Sequence, residues 1–468
     1  MRKISMLILS LCLILLFTPI YSHADQFGPN EWHQYRMKSD KNAVFDNGSE
    51  PIDFKKFKTA EEVRATPVVV GNKLFIGNHE SGDLFAFDIN TGEELWHNQV
   101  PNWIHSEMIY HDGKVYVGVG NRFFQDNGIR GTGESGVFAF DAETGEILWK
   151  YNTEGEVMPT PAYYDGSIYA ATGDRHLYKL NPDSGELLHK AEIGSTVSMS
   201  APAIENDILF VGGSGPFPYT FSAYDLKNDE FIWQKEFPDV YSGLDDVPPA
   251  IYENIVVTTG LEKAEDGQSP EHFIYAMDTE TGELLWKESF GVGEFVKNNK
   301  SGAPMIYKDN VYVGSPITKT FYAYDLNTGK KIWEFENEVM KAPPVAKDDV
   351  VYFSNVKGFV YALDSKTGDL LGEVELGGTL APSGPIIVND TIFIGSQDTN
   401  VYAVPLTDFE IDESEDNLAS AEDSDDDSNR GKESVENDFP WKYLFIGGLG
   451  LALLIVISYI FNRRKRNL

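Results

Sequence analysis

Ala86-Phe87-Asp88-Ile89-Asn90-Thr91-Gly92-Glu93-Glu94-Leu95-Trp96 is the stretch from which the architecture follows. The residues around Ala86 have the character of a β-strand. Asp88 can close a turn through its side chain, and Gly92 can take the positive φ that such turns need. A second strand then carries Trp96 back. The phrase returns as Ala139 to Trp149, Ala276 to Trp286 and Ala323 to Trp333. Weaker copies run from Lys179 to His189, Ala223 to Trp233 and Ala362 to Gly372. From Gly92 to Gly368 the mean spacing is 46 residues.

A hairpin precedes each phrase, as in Val68 to Ile76, so each repeat is four antiparallel strands. Units of that kind at this period are blades of a β-propeller. Inner strands are expected to start at Pro67, Met108, Pro161, Pro202, Pro249, Pro304, Pro343 and Pro385. The last copy, Pro385 to Pro405, has only three strands. Ile52 to Lys58 lies upstream and can supply the fourth, with Phe54 standing where other copies have Trp. The expected fold is all-β: an eight-bladed propeller over residues 52–407, closed by its N-terminal strand. Trp96, Trp149, Trp233, Trp286 and Trp333, with Phe54, are expected to dock one blade on the next rather than to stack on a ligand.

The flanks are equally distinctive. Residues 1–24 combine Arg2-Lys3, an apolar run to Ile20 and small residues at Ser22 and Ala24, which predicts a signal peptide. Residues 25–51 form a lead-in to the propeller. Residues 408–440 hold 14 acidic and two basic residues, a composition that cannot bury a core and predicts a disordered linker. A calcium loop there fails because Ser428 follows Asp427 where glycine is required. Residues 441–461 carry one charge, Lys442, and are long enough to cross a bilayer. Arg463 to Arg466 then place residues 462–468 in the cytoplasm by the positive-inside rule. The expectation is a single-pass membrane protein with its propeller outside the cytoplasm.

The chain carries 73 acidic and 38 basic residues, a net charge of −35. That excludes nucleic acid and anionic surfaces as main partners. The single cysteine, Cys12, lies in the predicted signal, so disulfides, thiolate metal sites and a cysteine nucleophile are excluded for the mature chain.

The repeat Ala-x-Asp-x-x-Thr-Gly-x-x-x-Trp resembles the tryptophan-docking repeat of quinoprotein alcohol dehydrogenases, shared by non-enzymatic relatives such as the propeller lipoprotein of outer-membrane β-barrel assembly. The opening Glu31-Trp32-His33-Gln34-Tyr35-Arg36 is similar to that family's lead-in. The likeness covers about Glu31 to Leu406, with departures at Asn228-Asp229, His189, Gly372 and Pro405-Leu406. It implies a propeller, and either a quinone-dependent dehydrogenase or a binding module. The enzymes' vicinal disulfide is absent. Asp245-Asp246 and Asn298-Asn299 lie in suitable loops but belong to no motif and read as solvated. No catalytic residue, cofactor or metal site is assigned.

Gly131-Thr132-Gly133-Glu134-Ser135-Gly136 matches a dinucleotide fingerprint but leads into a strand rather than a helix. His105-x-Glu107 with His111 could suggest a metal, but the spacing suits no helix. Links between second and third strands lengthen at Asn121 to Gly136, Gly212 to Thr220 and Leu261 to His272. Between-blade loops are elaborated at Pro101 to Glu107, Pro238 to Val247 and Gly291 to Ser301. Both kinds share one face of a propeller, where binding resides. Trp103, His105, Arg122, Phe123, Phe124 and Tyr241 are the expected contacts for an envelope protein, because aromatic and arginine side chains anchor interfaces. The sequence therefore predicts a non-catalytic protein-binding or scaffolding module, with a membrane-anchored quinone-dependent dehydrogenase as the alternative.

Overall fold

Each copy of the phrase closes a four-stranded antiparallel meander, and eight such sheets follow one another along the chain. The computed structural model describes residues 31–409. The expected signal, most of the acidic linker, the membrane span and the basic tail lie outside those residues. Among the described residues no helix is long and apolar enough to cross a membrane. The inner strands begin one or two residues after their expected starts, as in Val68–Val70, Ile109–His111 and Val345–Lys347.

The turn chemistry is as the phrase requires. Asp141 Oδ1 accepts the amides of Glu143 (3.0 Å) and Thr144 (2.8 Å). The Thr144 amide, with its hydroxyl, holds that carboxyl below the usual range. Gly145 follows at φ 71°.

The glycine has a second duty. A Cβ on Gly145 would lie 2.6 Å from the ring of Trp96 in the preceding blade, and Gly185, Gly282, Gly329 and Gly368 meet Trp149, Trp233, Trp286 and Trp333 in the same way. Each indole Nε1 donates to a carbonyl of the next blade: Trp96 to Ala142 (3.1 Å), Trp149 to Pro182 (2.9 Å), Trp233 to Thr279 (3.0 Å), Trp286 to Leu326 (2.8 Å) and Trp333 to Ser365 (3.0 Å).

This pairing accounts for the departures. His189 has replaced Trp where the next blade has Asp229, at φ 55°, in place of glycine; the extra Cβ there leaves no room for an indole. Gly372 pairs with Ala362 in the tryptophan register. Its missing ring is supplied by Phe409, which is buried and lies 5.3 Å from Tyr352. The propeller thus extends to the short 3-10 turn Leu406–Phe409, two residues past the expected boundary at 407.

Closure is by the strand Lys55–Lys58, which pairs antiparallel with Asn400–Pro405. The expected role of Phe54 needs correction. Lys55, not Phe54, faces Ala403, the register in which Trp96 faces Ala86. Lys55 Nζ donates to the Ile89 carbonyl at 3.1 Å, the bond the indoles make elsewhere. Phe54 is 45% exposed, whereas Phe57 is buried. Alternation along the strand puts 55 and 57 inward and leaves 54 out.

The lead-in was expected only to precede the ring, but it runs around the axis and touches every blade. Trp32 bonds Tyr110 of blade two in both directions (2.9 and 2.7 Å), and the Tyr163 amide of blade three donates to His33. Gln34 bonds both backbone groups of Ile204 in blade four. Ser39, Asp40 and Ala43 accept the amides of Ile251, Ile306 and Ile387. Asn42 bonds Ala346, and Asn47 reaches Gly71 of blade one. Val44–Phe45 then adds in parallel to the innermost strand of blade eight.

Candidate functional site

A strand order of down, up, down, up places the loops between blades and the links between second and third strands at the same end. At the axis of that end is a cavity of about 40 Å³, room for only a few water-sized groups. Arg64, His105, Met158, Met199, Asp246 and Lys341 line it, with Tyr35 of the lead-in also contributing. Each of those six lies four residues ahead of an inner strand. That spacing is the signal by which Arg64 and Lys341, which motif reading missed, could have been found.

The cavity wall is charged and buried. Lys341 Nζ pairs with Asp246 Oδ2 at 2.7 Å, and both are buried. Asp245 is also buried, its Oδ1 has no hydrogen-bond partner among the described residues, and burial raises its pKa. The expectation that Asp245 and Asp246 are solvated is therefore incorrect: the carbonyl of Asp245 accepts the amides of Met199 and Ser200, which turns this loop inward. Arg130 pairs with Glu156, whose carboxyl is nonetheless pushed up to about 7 by burial. Arg64 makes no hydrogen bond or ion pair within contact distance among the described residues, and its Nε is shut from solvent. Burial holds its guanidinium below the usual range.

The expected contact residues divide into two groups. His105 is buried in the cavity wall, its Nδ1 without a hydrogen-bond partner among the described residues, so it is not exposed to a docking protein. Burial, followed by the charge of Arg64, holds it well below its ordinary pKa. Trp103, Arg122 and Phe123 instead pack on one another, with His79 between Trp103 and His105. The Trp103 ring lies 4.7 Å from His79 and 5.4 Å from Phe123, and Arg122 sits 6.0 Å above it. Arg122 Nη1 reaches Asn298 Oδ1 at 3.3 Å, joining the blade-two hairpin to the loop after blade five. Phe123 and Phe124 are 52% and 63% exposed. Tyr241 is half-buried in a short strand, Val240–Ser242, that pairs with Leu261 and Glu262. Half of the expected link from Leu261 to His272 is strand, the ends of Ile255–Lys263 and Pro270–Asp278.

Phe217 and Phe295, 64% and 51% exposed, lie in two of the loops marked as elaborated but were not singled out. Their aromatic character was the available signal. His111 is not brought to His105 and Glu107. The inner strand Ile109–His111 carries it toward the other end, where its Nδ1 lies 2.7 Å from Glu31 Oε2.

The sequence profile of a family described as outer membrane protein assembly factor BamB matches residues 32–131, 119–239 and 270–413. The tetrathionate hydrolase of Acidithiobacillus ferrooxidans is 27% identical over 352 residues, 70% of this chain and 70% of that protein. The BamB of Burkholderia pseudomallei is 23% identical over 360 residues, 72% of this chain and 83% of its own. Among solved structures, BamB from Moraxella catarrhalis superposes with a TM-score of 0.57 at 16% identity, covering 75% of this chain and 98% of that one. The quinohemoprotein alcohol dehydrogenase of Comamonas testosteroni gives 0.59 at 13% identity, covering 80% of each. At these identities the structural likenesses show the fold alone.

Proposed function

Because the chain belongs to the family described as outer membrane protein assembly factor BamB, we propose that its propeller is a non-catalytic protein-binding module of the bacterial cell envelope, held at the membrane by residues 441–461. One observation carries the reading. Phe123 and Phe124, half or more exposed, project beside Arg122 at the end where the long loops gather. Exposed rings next to an arginine are the anchors of a protein interface. The propeller's own charge, about −30 over residues 25–407, favours a partner that is neutral or basic where it docks.

Replacing both phenylalanines with serine in the full chain is expected to cut partner capture from crosslinked membranes at least about tenfold. The melting temperature should move by no more than about 2 °C, since surface changes stay near ±0.5 kcal/mol. Undiminished capture, or a clear drop in melting temperature, would reassign the pair to packing on Trp103.

A second reading is catalysis at the axial cavity. Its specific support is Arg64, without a hydrogen-bond or ion-pair partner among the described residues and lining the cavity with His105 and Lys341, a setting suited to a small anion; one relative is named for hydrolysis of tetrathionate, a dianion. The full chain is expected to show no turnover of tetrathionate. It is also expected to reduce no artificial electron acceptor with alcohols when given pyrroloquinoline quinone and calcium. Turnover abolished by Arg64→Ala or Asp245→Asn would replace the first reading with the second.

A further inference from the structure

We infer that Glu31, His33 and His111 form a binding site for a divalent transition-metal ion, zinc being the ion best suited to it. The site would clamp the lead-in onto blades two and three. This inference does not rest on the proposed binding role, since it concerns the opposite end of the propeller.

The backbone places these three residues together. Trp32 and Tyr110 exchange both of their main-chain hydrogen bonds, Trp32 N to Tyr110 O at 2.9 Å and Tyr110 N to Trp32 O at 2.7 Å. They are a hydrogen-bonded antiparallel pair. The next pair along that ladder is Glu31 opposite His111, where side chains stand closest. His33 lies two residues beyond Glu31, and in extended chain that returns its side chain to the same face. Its carbonyl is fixed in turn by the Tyr163 amide at 2.6 Å. The donors are therefore carried on backbone that three bonds already hold, and a metal would not have to order it.

The side chains meet accordingly. One donor atom from each of Glu31, His33 and His111 lies within 4.8 Å of the others. Glu31 Oε2 and His111 Nδ1 are 2.7 Å apart. The His111 ring is steadied by stacking on Tyr163, with centroids 3.7 Å apart and an interplanar angle of 23°. An ion with bonds of about 2.0–2.2 Å to nitrogen and oxygen needs its ligands roughly 3.4 Å apart in a tetrahedron. Small side-chain rotations reach that spacing, and the ion would replace the Glu31–His111 hydrogen bond. Two imidazoles and one carboxylate are a donor set for zinc, nickel or copper rather than for calcium or magnesium. Glu31 and His111 each keep about a quarter of their side chain in solvent, so a water can complete the shell.

The clamp has a structural consequence. Glu31 and His33 sit at the start of the lead-in, and a metal shared with His111 would tie that start to the ring.

The test uses the purified full chain, stripped with a chelator and titrated with zinc alone, then with cobalt. One equivalent of zinc is expected to bind in the micromolar range or tighter. At 100-fold excess over Kd it should raise the melting temperature by several degrees. Cobalt should give the visible absorption of an imidazole-ligated tetrahedral site. His111→Asn and His33→Asn should each weaken zinc binding on the order of 100-fold, and Glu31→Gln by a smaller factor. Metal-free melting compared across the variants separates lost binding from lost folding. Absence of one-equivalent binding would overturn the inference. So would equal affinity in wild type and in a histidine variant whose metal-free melting matches wild type, because the acidic surface would then be holding the ion.

Discussion

A chain that begins at Ala65 is expected to melt at least about 15 °C below the full chain, and to aggregate where the full chain does not. Such a chain lacks the closing strand Lys55–Lys58, so Asn400–Pro405 becomes an open sheet edge. It also loses Phe57, buried against Phe87 and Phe393, a deletion that by itself costs about 3–5 kcal/mol. The lead-in goes with it, and Ile251, Ile306 and Ile387 lose the carbonyls that accept their amides. A second chain, starting at Ser49, keeps the strand and loses only the lead-in. Calorimetry on the three should rank them full chain, Ser49 start, Ala65 start. Equal melting of the full chain and the Ala65 start would mean that the ring is held by the tryptophan contacts alone.

Arg36→Met in the full chain is expected to cost about 3–5 kcal/mol, the range for breaking a buried charged network. Arg36 is fully buried at the axis. Its Nε donates to Lys41 O at 2.8 Å, Nη1 to Pro385 O at 2.8 Å and Nη2 to Pro344 O at 2.6 Å. The last two are carbonyls just ahead of the inner strands of blades eight and seven, so a single guanidinium ties blade seven to the blade that closes the ring. Methionine matches the volume of the stem but donates nothing, and three buried carbonyls lose a donor. Glu107 is also affected. Its Oε1 accepts the Trp32 indole and the Arg36 amide (2.6 Å), while burial pushes its carboxyl up to about 8. Burial likewise pushes Lys41 down to about 7. Without Arg36 the carboxyl keeps its proton to higher pH still. Denaturant unfolding measures the loss. A change under about 1 kcal/mol would show that water replaces the guanidinium at no cost.

The sequence reading and the structure agree where a residue's role is local or repeats. The Asp, Gly and Trp of the phrase each meet a requirement that recurs, so the four-stranded blade, the blade count and the closing strand were legible, whereas the added strands Val44–Phe45 and Val240–Ser242 were not. The error at Phe54 is one of register. An aromatic residue was matched to an aromatic place, but alternation assigns that place to Lys55, whose ammonium makes the indole's hydrogen bond. Phe409 was placed in the acidic linker because its neighbours are acidic, whereas a vacancy at Gly372, distant in sequence, draws it inward. The lead-in carries no periodicity, because it bonds the inner strands of seven blades and a turn of the remaining one, largely through backbone groups. Its circuit had no pattern to be read. The candidate face was legible as loop length. Which residues turn inward was not, since burial of Asp245 and His105 depends on loops from other blades.

The circuit of the lead-in also orders events in time. Synthesis delivers Val44 and Lys58 first, yet their partners Ile387 and Asn400 come about 340 residues later. Blades can form in succession as they emerge, each against its predecessor, but the segment at the axis cannot finish docking until the eighth blade exists. The first part made is the last part seated. If those contacts form after the folding barrier, weakening them is expected to speed the opening of the ring more than it slows assembly, which unfolding and refolding rates of a lead-in variant would measure.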